Sequence, residues 1–208
     1  MARLVLIKEL MESPYVHDGH YPAQIHKDTV MSSNSLAREY TFIGSFEDAP
    51  LQDVRVYLRN TGTRVTCVTS EYENHSGKKV NRIVAEIRFK HTLSFAIPPE
   101  LEHHELMQID SAFVVPDYEG NGLASETYMA LAVSGKVIVS DNTQFLPGKM
   151  LWKKLIEDAE LNGLNVYLLD DETGFEKENG ELVKVTDDSP WTEGADFNGY
   201  HKLLVLMK

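Results

Sequence analysis

Between Arg82 and Phe89 the apolar side chains Ile83, Ala85, Ile87 and Phe89 alternate with charged or small ones. A period of two predicts a strand with one buried face, here spanning Asn81–Lys90. Shorter runs rich in β-branched and aromatic residues predict strands at Tyr40–Ser45, Val54–Leu58 and Arg64–Ser70. Turn signals such as Asn60-Thr61-Gly62 and Asn74-His75-Ser76-Gly77 separate these runs. Arg3–Glu9 reads as a further strand. The polar stretch His17–Ser35 reads as a long loop with a short helix near Asn34–Glu39.

The pattern changes after residue 106. Met107–Val115 is apolar enough for a central strand. Leu123, Tyr128, Leu131 and Ala132 recur at helical spacing, which predicts a helix over Leu123–Ser134 closed by Gly135. Val137-Ile138-Val139 is a short buried strand. Pro147 suits the first turn of a second helix, with Leu151, Leu155, Ile156 and Ala159 on its inner face and Gly163 at its end. Asn165–Asp170, Glu181–Thr186 and His201–Met207 read as strands, the last two joined by the loop Asp187–Asn198. A β-rich start followed by β-α-β-α-β-β predicts an α+β fold: a mixed, mostly antiparallel sheet with helices packed on its faces. The 208 residues suit a single domain. Its parts are a β-rich half over residues 1–106, a β-α-β-α-β core over 107–170 and C-terminal strands over 171–208.

The net charge of −12 argues against non-specific binding to nucleic acid or to anionic membranes, so neither is an expected partner. The densest runs of cations, Lys78-Lys79 with Arg82, Arg88 and Lys90, and Lys149 with Lys153-Lys154, read as solvated faces. No apolar run approaches the roughly 20 residues that cross a bilayer. The run Leu4-Val5-Leu6-Ile7 is broken by Lys8, Glu9 and Glu12, unlike a signal peptide. A lone cysteine, Cys67, excludes an internal disulfide and fits a reducing, cytoplasmic compartment. In a strand beside Val65 and Val68 it reads as core. The histidines group loosely as His17, His20 and His26, and as His103-His104, without completing a metal-ligand set.

Chemistry concentrates at one corner, Val115-Pro116-Asp117-Tyr118-Glu119-Gly120-Asn121-Gly122-Leu123-Ala124. A central strand ends there, two glycines follow, and a helix begins. Glycines permit positive φ and close approach of a ligand to the backbone. The first amides of a helix have no partners within it and favour anions. This run resembles the pyrophosphate-binding turn of the GCN5-related N-acetyltransferase (GNAT) superfamily, including the preceding proline and the small residue after the second glycine. The order strand, helix, strand, helix, strand over Met107–Asp170 is similar too, as is Met150-Leu151-Trp152-Lys153-Lys154-Leu155 to the family's later helix. The chain resembles in particular the divergent GNAT-like proteins carried by bacteriophages.

The resemblance implies transfer of an acetyl group from acetyl-coenzyme A to an amine, without a metal. It places the pyrophosphate on the turn amides, with Val115, Tyr118, Glu119, Gly120, Asn121, Gly122, Leu123 and Ala124 as cofactor contacts. The pantetheine arm is expected along the edge of Ile109–Val115. Asp110 and Asp141 are the carboxylate candidates for the base, with Glu86 and Glu102 behind them. Ser140 and Asp141 lie at the carboxyl end of a predicted strand, where such sheets place ligands; Ser140–Thr143 also suits a helix cap. The family's acid is a tyrosine on the later helix, and here Trp152 takes that position. Tyr118, Tyr128 or Tyr167 could substitute, with Tyr118 the leading candidate, and each of the three also reads as a packing residue. Asp117 stands where the family has Gln or Arg, and Glu119 adds a second carboxylate beside the anion site. Loss of catalysis with retention of a binding or assembly role is therefore the alternative expectation. A basic acceptor such as a polyamine, an aminoglycoside or a protein lysine suits the acidic chain. A protein partner or a homodimer is compatible with either reading.

Overall fold

The computed structural model describes residues 30–46, 51–69, 72–73, 75–141, 146–186 and 202–208. The strand expected at Arg3–Glu9, residues 17–29 of the polar loop with their three histidines, and the loop Asp187–Asn198 lie outside the described residues. The fold is α+β, with three α-helices and a large, mostly antiparallel sheet among the described residues. The chain divides into two compact units. One combines residues up to Phe89 with Asp110–Ala124; the other combines Lys90–Ile109 with Ser125–Lys208.

The first unit is built around a long strand. β1 (Val30–Ser32) is a strand where the sequence reads as loop, and it leads into α1 (Ser33–Glu39), the short helix expected near Asn34–Glu39. Ser32 caps the helix, its hydroxyl accepting from the Ser35 amide at 3.2 Å. β2 (Tyr40–Ser45), β3 (Arg55–Arg59) and β4 (Arg64–Val68) follow as an antiparallel meander, with a bulge between Phe42 and Gly44. β5 (Tyr72–Glu73) is a two-residue strand. β6 (Lys79–Phe89) takes β1, β4 and β5 as antiparallel partners and neighbours β7 (Glu105–Val114), whose second half belongs to this unit.

β6 corrects the expectation of one buried face. Val80, Ile83, Ala85, Ile87 and Phe89 are buried, but so are Asn81, Val84 and Glu86. The polar members of that second set are satisfied. Asn81 accepts from the Ser33 hydroxyl at 3.2 Å and donates to the Thr69 carbonyl at 3.1 Å. Glu86 lies between Arg64 at 3.1 Å and Arg88 at 2.6 Å. A carboxylate tolerates burial when cations and hydrogen bonds replace its water. Cys67 is fully buried in β4, a core residue as its neighbours suggest.

In the second unit the strand order is β10 (Gly174–Phe175), β9 (Asn165–Asp170), β13 (Lys202–Met207), β8 (Lys136–Val139) and β7. β13 runs antiparallel to both β8 and β9. With Leu203 to Met207 all buried, it has the continuous apolar run of a strand covered on both faces. β7 and β8 are parallel, so the chain needs a crossover between them, and α2 (Leu123–Val133) provides it. α3 (Leu146–Ala159) packs on β9, and a 3-10 turn with Gly163 in the left-handed region ends it. Leu101, Val137, Val139, Tyr167, Leu169, Phe175, Leu203, Val205 and Met207 form one apolar cluster. The strand expected over Glu181–Thr186 is shorter. Only Glu181–Leu182 (β12) pairs, in a hairpin with Lys177–Glu178 (β11), and Lys184 makes a single bridge to Tyr167. These hairpin residues are mostly exposed, so little burial supports a longer ladder.

Candidate functional site

The corner after β7 is held by its backbone. The Val115 amide donates to the Val84 carbonyl of β6 at 2.9 Å, and Val115 itself is fully buried. Pro116–Tyr118 then form a 3-10 turn, for which proline at the first position supplies the required φ. Its hydrogen bonds run from the Tyr118 amide to Val115 at 2.9 Å and from the Glu119 amide to Pro116 at 3.2 Å. Both donors are thus engaged inside the turn, although the sequence places them among the cofactor contacts. Gly120 and Gly122 follow with φ of 75° and 80°. These left-handed conformations swing the chain into α2, and at Gly120 the conformation explains the glycine better than crowding does, since nothing lies within 4 Å of a Cβ there. Leu123 and Ala124 turn their side chains inward, at 2% and 9% exposure, whereas Asn121 is exposed. The segment Gly120–Ala124 therefore carries the backbone that leads into the positive end of the helix.

Arg82 changes the electrostatics of this corner. From β6, its Nη2 donates to Asp117 Oδ2 at 3.1 Å. The same guanidinium lies 5.9 Å from the centre of the Tyr118 ring, within cation–π range. The Asp117 carboxylate, read from sequence as unfavourable beside an anion, is neutralised by a cation 35 positions earlier in the chain. Glu119, the second carboxylate of the corner, is half-buried. The sequence groups Arg82 with a solvated face, and only its place on β6 reveals the Asp117 contact.

The other candidates are distributed as follows. Asp110 is exposed on β7, in the same unit as the turn. Asp141 belongs to the other unit, where its carboxylate accepts from Lys90 Nζ at 2.7 Å. Ser140 is fully buried. Its hydroxyl accepts from the Leu204 amide at 2.9 Å and donates to the Asp141 carbonyl at 3.0 Å. Gln108, also fully buried, donates to the Ser140 carbonyl at 3.3 Å and to the Ser94 hydroxyl at 2.6 Å, and accepts from the Ser94 amide at 2.8 Å. This network joins β7, the carboxyl end of β8, β13 and the segment around Ser94. Nothing in the sequence signals it beyond a glutamine within an apolar strand. Asn142 and Thr143 lie outside the described residues.

Trp152 is 3% exposed, with its ring 6.4 Å from that of Tyr128. Burial pushes the Tyr128 phenol well above its usual range, which removes it as a proton donor near neutral pH. Tyr167 is likewise raised by burial and meets Phe175 edge-on, with centroids 6.2 Å apart. Both tyrosines are packing residues. Glu86 is held by its two arginines, and Glu102, His103 and His104 are exposed. Among the described residues, no three His, Cys, Asp or Glu side chains are grouped to hold a metal. A shallow groove of about 420 Å³, lined by Leu93, Ser94, Phe95, Ala96, Asp171 and Glu172, shares no residue with the turn.

Comparisons with protein-family models, with curated proteins and with solved structures return no match.

Proposed function

We propose that the chain binds acetyl-coenzyme A and transfers its acetyl group to an amine, as a GNAT-like acyltransferase. The course of β7 carries this reading. It pairs in parallel with β8 over Glu105–Gln108 opposite Lys136–Val139, where the register ends. β7 then continues to Val114 and runs directly into the two-glycine turn that starts α2. A strand edge released from its parallel neighbour offers backbone groups to an extended ligand, and a helix start next in the chain offers an anion site. An acyl-pantetheine arm ending in a pyrophosphate has that chemistry. In this reading the pyrophosphate lies against Gly120–Ala124 with Arg82 as its cation, and the arm follows β7 beyond Gln108. The exposed Asp110 accepts the proton of the attacking amine. Tyr118 returns a proton to the sulfur as the C–S bond breaks. The acceptor is a basic amine, in keeping with the net charge of −12.

A second reading, a GNAT-like protein that binds without catalysing, is favoured by Trp152. It occupies the position where the resemblance puts the acid, and it is sealed against Tyr128. An indole N–H is no proton donor at neutral pH.

Calorimetric titration with acetyl-coenzyme A separates these readings. Saturable micromolar binding, abolished in Gly122→Trp, is the expected result. Turnover with an amine panel then selects the enzyme, and binding without turnover selects the second reading. No heat at millimolar ligand with folded protein overturns both.

A further inference from the structure

The outer strands β2 and β3 of the first unit's sheet carry a second feature, independent of the turn. On β3, Arg55, Tyr57 and Arg59 point to one face, while Val56, 4% exposed, points to the other. Phe42 of β2 is the direct cross-strand partner of Tyr57. The rings meet edge-on with centroids 5.5 Å apart. Phe42 is 54% exposed and is the one aromatic residue among the exposed large apolar side chains of the described residues. On the same face, Arg64 of β4 stands directly opposite Arg88 of β6. Directly paired residues share a face, so Arg55 and Arg59 flank Tyr57 beside Phe42, while on β4 Tyr57 meets the fully buried Thr66 and Arg64 and Arg88 are half-buried on Glu86.

These four guanidinium groups face two carboxylates. Glu39 is 3.6 Å from Arg59, in a pair exposed enough to be weak. Glu86 is shared between Arg64 and Arg88. Arg55 is exposed and makes no ion pair among the described residues. In a chain of net charge −12, this face is an island of positive charge. At about 3.3 Å per residue, Arg55 and Arg59 stand roughly 13 Å apart with Tyr57 midway. The half-buried Tyr57 ring between two cations, with the exposed Phe42 ring beside it, matches the alternation of base and phosphate in a single-stranded nucleic acid. A folded acidic protein would want a broader apolar patch than one ring provides.

We infer that this edge of the sheet binds single-stranded nucleic acid, with bases stacked on Phe42 and Tyr57 and phosphates on Arg55 and Arg59. The expectation of no nucleic-acid partner rests on whole-chain charge. That charge suppresses non-specific binding and still permits a local, aromatic-dependent site.

The test is fluorescence anisotropy of labelled oligothymidylate and oligouridylate, about twelve nucleotides long, titrated with the full chain at about 50 mM salt. Micromolar binding is expected. Phe42→Ala should weaken it about tenfold, and Phe42→Tyr should restore it. Arg55→Ala combined with Arg59→Ala should weaken it further and flatten the salt dependence. The wild-type slope of log affinity against log salt should be about −1.4, from two phosphate contacts. Unchanged circular dichroism and melting of these surface variants keeps the comparison valid. The inference is overturned by no saturable binding at protein concentrations on the order of 100 μM. It is overturned equally by binding that ignores Phe42→Ala, or by equal affinity for polyglutamate, which would mark an acidic-protein surface.

Discussion

Arg82 of β6 and Asp117 of the turn are joined at 3.1 Å, and the pair brings a cation over the corner where β7 becomes α2. The Arg82 side chain is 23% exposed and that of Asp117 is 51% exposed. Such a pair contributes little to stability, about 0.2–1 kcal/mol. Its larger effect is on the local field. If the turn holds a pyrophosphate, Arg82→Ala removes the nearby cation and leaves Asp117 uncompensated. Acetyl-coenzyme A affinity should then fall by about tenfold or more, the worth of one charge-assisted hydrogen bond. Asp117→Asn removes the competing carboxylate from Arg82 and should raise the affinity severalfold. Calorimetry on the two variants checks the opposite signs, and equal effects would count against the site.

Gly120 is held at a φ of 75° with open space where a Cβ would stand. The cost of substitution should therefore be conformational rather than steric. Gly120→Ala is expected to lower unfolding free energy by about 1–2 kcal/mol, and Gly120→Asn by less, because asparagine visits the left-handed region more readily. Urea denaturation of both variants measures the ranking. A larger loss for asparagine would point to crowding instead.

The buried pair Gln108 and Ser140 ties three strands to the Ser94 segment. Ser140→Ala strands the Leu204 amide, and Gln108→Leu strands the Ser94 amide and the Ser140 carbonyl. Each change should cost about 1–3 kcal/mol per orphaned group. Hydrogen exchange should show faster exchange at Leu204 in Ser140→Ala.

Thr66 shows the reverse case. It is fully buried in β4, and its hydroxyl has no hydrogen-bond partner among the described residues. Thr66→Val keeps the β-branched shape and removes the unsatisfied group. A gain of about 1 kcal/mol is expected, read as a higher denaturant midpoint at unchanged slope.

Tyr128 gives a pH signature. Burial raises its phenol above the usual value of about 10, because the charged form is disfavoured inside. The folded state thus holds the proton more tightly than the unfolded chain. Its contribution to stability is complete below about pH 10 and is lost as pH rises from there toward the folded value. Thermal melts should fall steeply above about pH 10 in the wild type and less steeply in Tyr128→Phe. Identical alkaline profiles would sink this assignment.

Much of the fold is legible along the chain because burial leaves a period. The run at Asn165–Asp170 and the helix start at Leu123 are found where the pattern puts them. The strand over Glu181–Thr186 shortens because a pattern of apolar residues does not say whether a neighbour exists to cover them. β6 is covered on its second face for the opposite reason: its polar residues find partners that lie far away in sequence.

The residues by themselves determined where each segment is apolar, where glycines allow a left-handed turn, and the overall excess of negative charge. Only the tertiary structure decided that Arg82 answers Asp117, that Trp152 is sealed against Tyr128, and that Phe42 meets Tyr57 between Arg55 and Arg59. Periodicity reports the preference of one segment for inside or outside. Side-chain chemistry depends on which segments become neighbours, and that follows from strand register and crossover, which are set by the packing of the whole chain.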